Sequence, residues 1–280
     1  MDALLPAGLV ADRRVAISAS DSPDLDRLGL SGLHVTLALG EVARAVLLGG
    51  GTLAYGGDLR PGGFTDFLLG ELQRYAAPAE PSLLVCLARQ SHRELPLHEL
   101  RERIDRLRLY ARFLCLDPDG DEVAPGQGRG DDPVPVDDAV RPRALTAMRR
   151  YLESRVHARV LIGGRRHGYQ GRLPGLVEEA LLALDEAKPL YLAGGFGGAT
   201  ADVAGVLRPT DAQWLPPAPA EPGYLEGLRL LSEVVNRPGW SRPDNGLRPE
   251  ENTRLAATHR PSEIANLVTL GLGRTGAGTP

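Results

Sequence analysis

The sequence predicts an α/β domain of Rossmann-like type, a mostly parallel sheet with helices on both faces, followed by a C-terminal helical extension. Three observations predict it. Short apolar runs alternate with segments of helical period for most of the chain, the pattern of parallel strands joined by crossover helices. Three glycine clusters each follow a predicted strand and precede a predicted helix. Beyond Arg208 the alternation stops, and only helical segments and proline-rich loop remain.

The elements read in order as follows. Arg14 to Ser18 is a first strand, feeding a polar turn with Ser18, Ser20, Asp21, Ser22 and Pro23. Leu33, Leu37, Val42 and Val46 recur at near-helical spacing over 32–48, and Gly49-Gly50-Gly51 stops that helix because glycine readily takes the left-handed cap conformation. Thr52 to Tyr55 is a second strand and Thr65 to Tyr75 a second helix. Residues 83–88 read as strand, 97–109 as a charged helix and 111–116 as strand. The acidic, Gly/Pro-rich stretch from Asp117 to Asp138 reads as an exposed loop, and its acids lack the alternate spacing and terminal Glu of an EF-hand. Residues 139–156 read as helix, Ala158 to Ile162 as strand, Pro174 to Glu186 as helix, Leu190 to Ala193 as strand and Ala199 to Val206 as a short helix. A proline-rich connector, WLPPAPAEPG, then leads to helices at 221–236, 249–258 and 262–272 and to a mobile tail, GRTGAGTP. Residues 1–210 are thus expected to form the α/β domain. Residues 211–280 have too few apolar side chains for a core of their own and are expected to pack on it.

Composition narrows the function. The chain is 42% hydrophobic and 24% charged, enough for a large core without staples. With 32 Lys and Arg against 36 Asp and Glu it lacks the basic excess that phosphate neutralisation on a duplex demands, which argues against nucleic acid as a partner. Cys86 and Cys115 each sit in an apolar run and read as buried strand thiols. The N-terminus has no basic region followed by a long apolar one, and no run reaches the ~18 apolar residues of a membrane span, so a soluble cytoplasmic protein is expected. His34, His92, His98, His157, His167 and His259 show no metal spacing, and neither a metal nor another resident cofactor is expected. GxSxG and GxxxxGK[ST] are absent, against a serine hydrolase and a P-loop NTPase.

The glycine clusters carry the candidate chemistry. Glycine lets a backbone approach a ligand closely, and a helix start offers unpaired N–H groups with positive dipole character. In an open parallel sheet such turns share the carboxyl edge. The first cluster holds Gly56, Gly57, Asp58, Arg60 and Thr65; its alternative reading is a capping loop with a surface ion pair. The second holds Gly163, Gly164, Arg165, Arg166, Tyr169, Gly171, Gly175 and Glu178. Its arginines are suited to phosphate because guanidinium donates two hydrogen bonds at once, and the Tyr169 ring is suited to stacking on a base or ribose. Glu178 and Glu179 complement the dipole of the following helix, and Glu178 is also placed to meet a ribose. The third cluster holds Gly194, Gly195, Phe196, Gly197 and Gly198, close to a dinucleotide fingerprint, with a tight strand–helix packing turn as the alternative.

These turns together resemble the SLOG superfamily, which includes the Lonely-guy phosphoribohydrolases, the DNA-processing protein DprA, the N-terminal region of TRPM channels and ligand sensors of anti-phage systems such as Thoeris. The residues that carry the resemblance are Ser18-Ala19-Ser20, Tyr55-Gly56-Gly57-Asp58, Gly163-Gly164, Gly175 to Glu179 and Gly194-Gly195, over about 13–206; the segment from Glu250-Glu251-Asn252 also looks like sensor-type relatives. The phosphoribohydrolase signature PGGxGTxxE is matched at Gly175, Glu178 and Glu179, while Leu176 replaces its threonine and Arg165 to Gly171 are inserted. The insert with two arginines is closer to the members that recognise NAD-derived or nucleotide signals.

Two functions follow as expectations. In the first, the crevice captures a nucleotide-type signal such as NAD, ADP-ribose or a cyclic nucleotide, as a defence or signalling sensor. It then acts through homo-oligomerisation or a separate effector chain. In the second, the chain cleaves an N-glycosidic bond of a nucleotide with Glu178 and Arg166 as catalytic residues. A packing protein with a vestigial crevice is the bland alternative.

Overall fold

Strand β1 (Arg14–Ser20) lies at the centre of the sheet, and its near-continuous apolar run is what burial on both faces requires. A computed structural model describes residues 8–57, 59–75, 81–207 and 221–276. Asp58, most of the proline-rich connector and the last four residues of the expected tail lie outside these. From β1 the chain winds through α1 (Gly32–Leu48), β2 (Thr52–Gly56), α2 (Phe64–Tyr75), β3 (Leu83–Leu87), α3 (Arg89–Arg93), α4 (Leu97–Leu107) and β4 (Ala111–Leu116). A two-residue strand, β5 (Glu122–Val123), turns back antiparallel on β4. Helix α5 (Arg141–Glu153) then crosses to the other side of β1, where β6 (Ala158–Gly163), α6 (Gly175–Asp185), β7 (Leu190–Ala193) and α7 (Gly198–Leu207) complete the fold. The strand order is β5-β4-β3-β2-β1-β6-β7, parallel except for β5. Winding therefore reverses between β1 and β6, the place where open α/β sheets leave a crevice at the carboxyl edge.

Pleating divides the core. Val15 and Ile17 face the side covered by α1 and α2, while Ala16 packs with Met148 and Leu152 of α5 on the other. Leu161 and Leu192 pack with α6, α7 and α8 (Pro222–Val235). The remaining helices, α9 (Pro249–Ala257) and α10 (Pro261–Gly276), join the first face: Leu255, Ile264, Val268 and Leu272 share one core with β1 and α1. The thiols of Cys86 and Cys115 are free and buried in β3 and β4, and burial pushes them up to about 12 and about 11.

Three local expectations are revised, and one helix is added. β1 runs through Ser20 because β6 pairs with it in step to the end, Ser20 opposite Gly163, so Ser18 and Ser20 belong to a strand and not to a turn. The segment 117–138 is largely exposed loop, as expected, but it contains β5 and is tied down: Arg93 donates to the carbonyls of Gln127 (2.7 Å) and Gly128 (3.1 Å), and Arg129 to that of His92 (2.8 Å). Helix α3, missed in the sequence, supplies those contacts. Finally, α10 continues to Gly276, over the first four residues assigned to the tail, and Arg274 there is held by Glu251 (2.6 Å) and by the Gly246 carbonyl (3.1 Å).

Candidate functional site at the carboxyl edge

Strands β2, β1, β6 and β7 are consecutive neighbours, so the turns that follow them line one edge spanning roughly 14 Å, three strand spacings. Gly57, Gly164 and Gly195 all lie on it. The structure thus brings the three clusters to a common edge, and the geometry within each sorts their residues.

The turns after β1, β6 and β7 interlock. Gly163 has φ +69°, and a Cβ there would lie 2.4 Å from the Ser20 carbonyl oxygen. Gly198 has φ +65°, and its Cβ would meet the Gly164 carbonyl at 2.3 Å. Both positions therefore demand glycine. The Gly164 N–H donates to Ser20 O (3.0 Å), Ala199 N–H to Gly164 O (3.1 Å) and Gly198 N–H to Asp24 Oδ2 (2.7 Å). Gly198→Ala is expected to cost about 2–4 kcal/mol through strain and clash, read as a fall in urea midpoint at unchanged slope; an unchanged midpoint would refute the interlock.

Arg166, expected to face a phosphate, is instead buried and committed to protein carboxylates. Nη1 donates to Asp24 (2.7 Å) and Nε to Asp202 (2.6 Å), and Asp202 also accepts from Tyr224. The third cluster is likewise buried. A Cβ on Gly194 or Gly195 would strike the carbonyls of Ala256 (2.5 Å) or Thr258 (2.0 Å), Gly197 abuts Asp24, and Phe196 is fully enclosed. In this arrangement the cluster serves close packing of backbone on backbone, the bland reading offered by the sequence. Tyr169 is half-buried with its hydroxyl against Gly223 of α8, so its ring packs on protein.

Arg165 and Arg60 are the exposed cations of the predicted set; Arg165 Nη2 lies 3.2 Å from the exposed Asp21. Thr65 is buried beneath the first cluster, where a Cβ on Gly57 would lie 2.8 Å from its hydroxyl, and Gly56 is closed by Met148 of α5.

Glu178 lies in the first turn of α6 and is buried. Its Oε1 accepts from Thr146 Oγ1 (2.5 Å) and its Oε2 from Arg149 Nη1, both on α5. Arg149 reaches this point because Gly171 and Gly175 carry no side chain: a Cβ on either would lie 2.9 Å from the guanidinium. Its Nε is 3.6 Å from Glu179, and Glu179 in turn is 3.4 Å from Arg159 of β6. Arg159 donates to Glu153 (2.6 Å) and to Ser18 Oγ (2.6 Å), so Ser18 is held within the network. Burial pushes the Glu153 carboxyl upward, against the opposing pull of Arg159.

Sequence reasoning missed Arg149, Thr146, Glu153, Arg159, Asp24 and Asp202. One signal was available: Arg159 interrupts the apolar run Ala158 to Ile162, and a charge inside a doubly covered strand needs a buried partner. The others sit in ordinary helical or loop contexts.

A family profile described as SLOG cluster2 matches residues 9–255. No curated protein and no solved structure matches the chain.

Proposed function

The chain belongs to the SLOG superfamily, and from that premise we propose that it binds a nucleotide-derived small molecule at the carboxyl edge, beside the β1/β6 reversal. The observation that carries this reading is the Glu178–Arg149 pair under Gly171 and Gly175, where a carboxylate, a guanidinium and a helix start meet at the edge. The first backbone N–H groups of α6 have no partner within the helix and suit an anionic group. With Arg166 buried and engaged by two carboxylates, counter-charge falls to the exposed Arg165, whose ion pair is to the equally exposed Asp21. Each Glu178 oxygen retains acceptor capacity for a ribose hydroxyl beyond Thr146 and Arg149. Anchoring of that carboxylate on both oxygens suits positioning more than proton transfer, which favours capture over cleavage. The ligand class is NAD, ADP-ribose or a cyclic-nucleotide-like signal, sensed in a bacterial defence or signalling setting through self-association or a separate effector chain. Among the described residues no helix is long and apolar enough to cross a membrane.

Calorimetry with NAD, ADP-ribose, cyclic ADP-ribose isomers and nucleoside monophosphates tests this. Binding of one of them is expected, weakened about tenfold to a hundredfold by Glu178→Gln, the loss of one charge-assisted contact. No heat with any ligand overturns the reading. Release of free base by wild type but not by Glu178→Gln would replace capture by N-glycoside hydrolysis.

A further inference from the structure

A cavity of about 230 Å³ opens at the amino edge of the sheet, opposite the carboxyl edge. Its floor is the start of β1, β2 and β3 with Leu84 and Leu114, and its wall is the C-terminal end of α5. Three arginines line it, Arg14, Arg112 and Arg155, against one carboxylate, Glu122. That leaves a formal excess of two positive charges.

The single carboxylate is divided. Arg155 and Arg112 lie 3.8 and 3.9 Å from Glu122, at the outer limit of ion pairing, and the Tyr151 hydroxyl also donates to it. Arg14 donates to the Arg155 carbonyl (3.3 Å), a neutral acceptor that leaves its charge uncompensated. The Arg155 guanidinium lies over the Tyr151 ring, 4.8 Å from its centre, which holds it in place on the cavity wall. The neighbourhood is positive beyond the lining: next door, His157 is pushed toward its neutral form by burial and by Arg13, Arg14 and Lys188.

We propose that this cavity is a second ligand site, for a compact dianion carrying phosphate or two carboxylates. Guanidinium groups take planar oxyanions by paired hydrogen bonds, and three of them converge here with a phenol hydroxyl able to add a fourth donor. The volume lies below the ~300 Å³ at which pockets for drug-sized molecules begin, which selects a small ligand over a whole dinucleotide. Glu122 acts as the resident competitor, which an entering dianion displaces from Arg112, Arg155 and Tyr151.

Titration calorimetry of the full chain with pyrophosphate and, separately, succinate at low salt tests the site and tells phosphate from carboxylate. Binding of at least one is expected. Arg112→Gln with Arg155→Gln should weaken it tenfold or more, whereas Glu122→Gln should tighten it about threefold to tenfold by removing the competitor. Opposite signs from neighbouring exposed substitutions cannot both arise from lost folding. Glu178→Gln should leave this binding unchanged, which separates it from the carboxyl-edge reading. No heat from either anion, arginine and glutamate variants within twofold of wild type, or abolition by Glu178→Gln would each overturn the proposal.

Discussion

Arg159→Met is expected to destabilise the protein by about 3–5 kcal/mol, the cost of leaving buried carboxylates without their cation. Arg159 is fully enclosed in β6 and is the link between Glu153, Glu179 and Ser18. Methionine fills much of the space but supplies no donor, so Glu153, also fully enclosed, keeps Lys188 as a nearby cation with the Glu179 charge working against it. At 2–4 °C per kcal/mol for a chain of this size, melting should fall by roughly 10 °C. The deficit should depend on pH. Burial already raises the Glu153 carboxyl above its ordinary 4.5, and losing Arg159 raises it further. A carboxyl whose native pKa lies above the unfolded one favours the fold when protonated, and that contribution is lost as pH rises through the native value. The gap between variant and wild type should therefore narrow as pH falls from 7 toward 5. Adding Glu153→Gln should recover part of it at neutral pH, since the interaction and not the arginine alone is being removed. A deficit under 1 kcal/mol, or one that widens on acidification, would show that the network is not the keystone of this face.

The same residue illustrates what could be read from the sequence. Alternating apolar runs and helical segments gave every long element, because burial on both sides of a parallel sheet dictates hydrophobicity directly. Helix α3 and strand β5 were not legible: five and two residues are too few to express a period. At the edge, the glycines announced close approach but not what approaches. Gly194 and Gly195 face the chain's own carbonyls 256 and 258, a contact some sixty residues away in sequence, whereas Gly171 and Gly175 admit Arg149. A lone pattern is the same in both cases. The arginine that reaches Glu178 lies on α5, two elements earlier, and helical spacing there marks it only as polar. Arg166 misled for the converse reason: its partners, Asp24 and Asp202, are 142 and 36 residues distant, so a guanidinium destined for burial looked available.

Those partners lead to the other large effect. Asp24→Asn is expected to cost about 3 kcal/mol, because one carboxylate ties three turns together. Its Oδ2 accepts from Arg166 Nη1 (2.7 Å) and from the Gly198 N–H (2.7 Å) at the start of α7, while Oδ1 takes Arg27. Asparagine keeps one acceptor, but its amide N–H₂ must face a guanidinium or a backbone donor and can satisfy neither. Arg166, 3% exposed, then has Asp202 as its one carboxylate partner, beside a long contact to the Gly198 carbonyl (3.5 Å). Burial pushes the Asp24 carboxyl up, yet the Gly198 N–H and the Arg166 and Arg27 guanidinia outweigh it and hold the group below its ordinary 3.8. A depressed carboxyl contributes stability above its unfolded pKa and loses it as pH falls through the native one. The difference between wild type and Asp24→Asn should thus stay level from pH 8 to about 5 and shrink only below about 4. Urea unfolding across that range measures it. A difference that already closes between pH 8 and 5 would mean that Asp24 is not the ionised anchor joining the turns after β1, β6 and β7. In that case the rigid edge on which the proposed ligand capture depends would need another fastening.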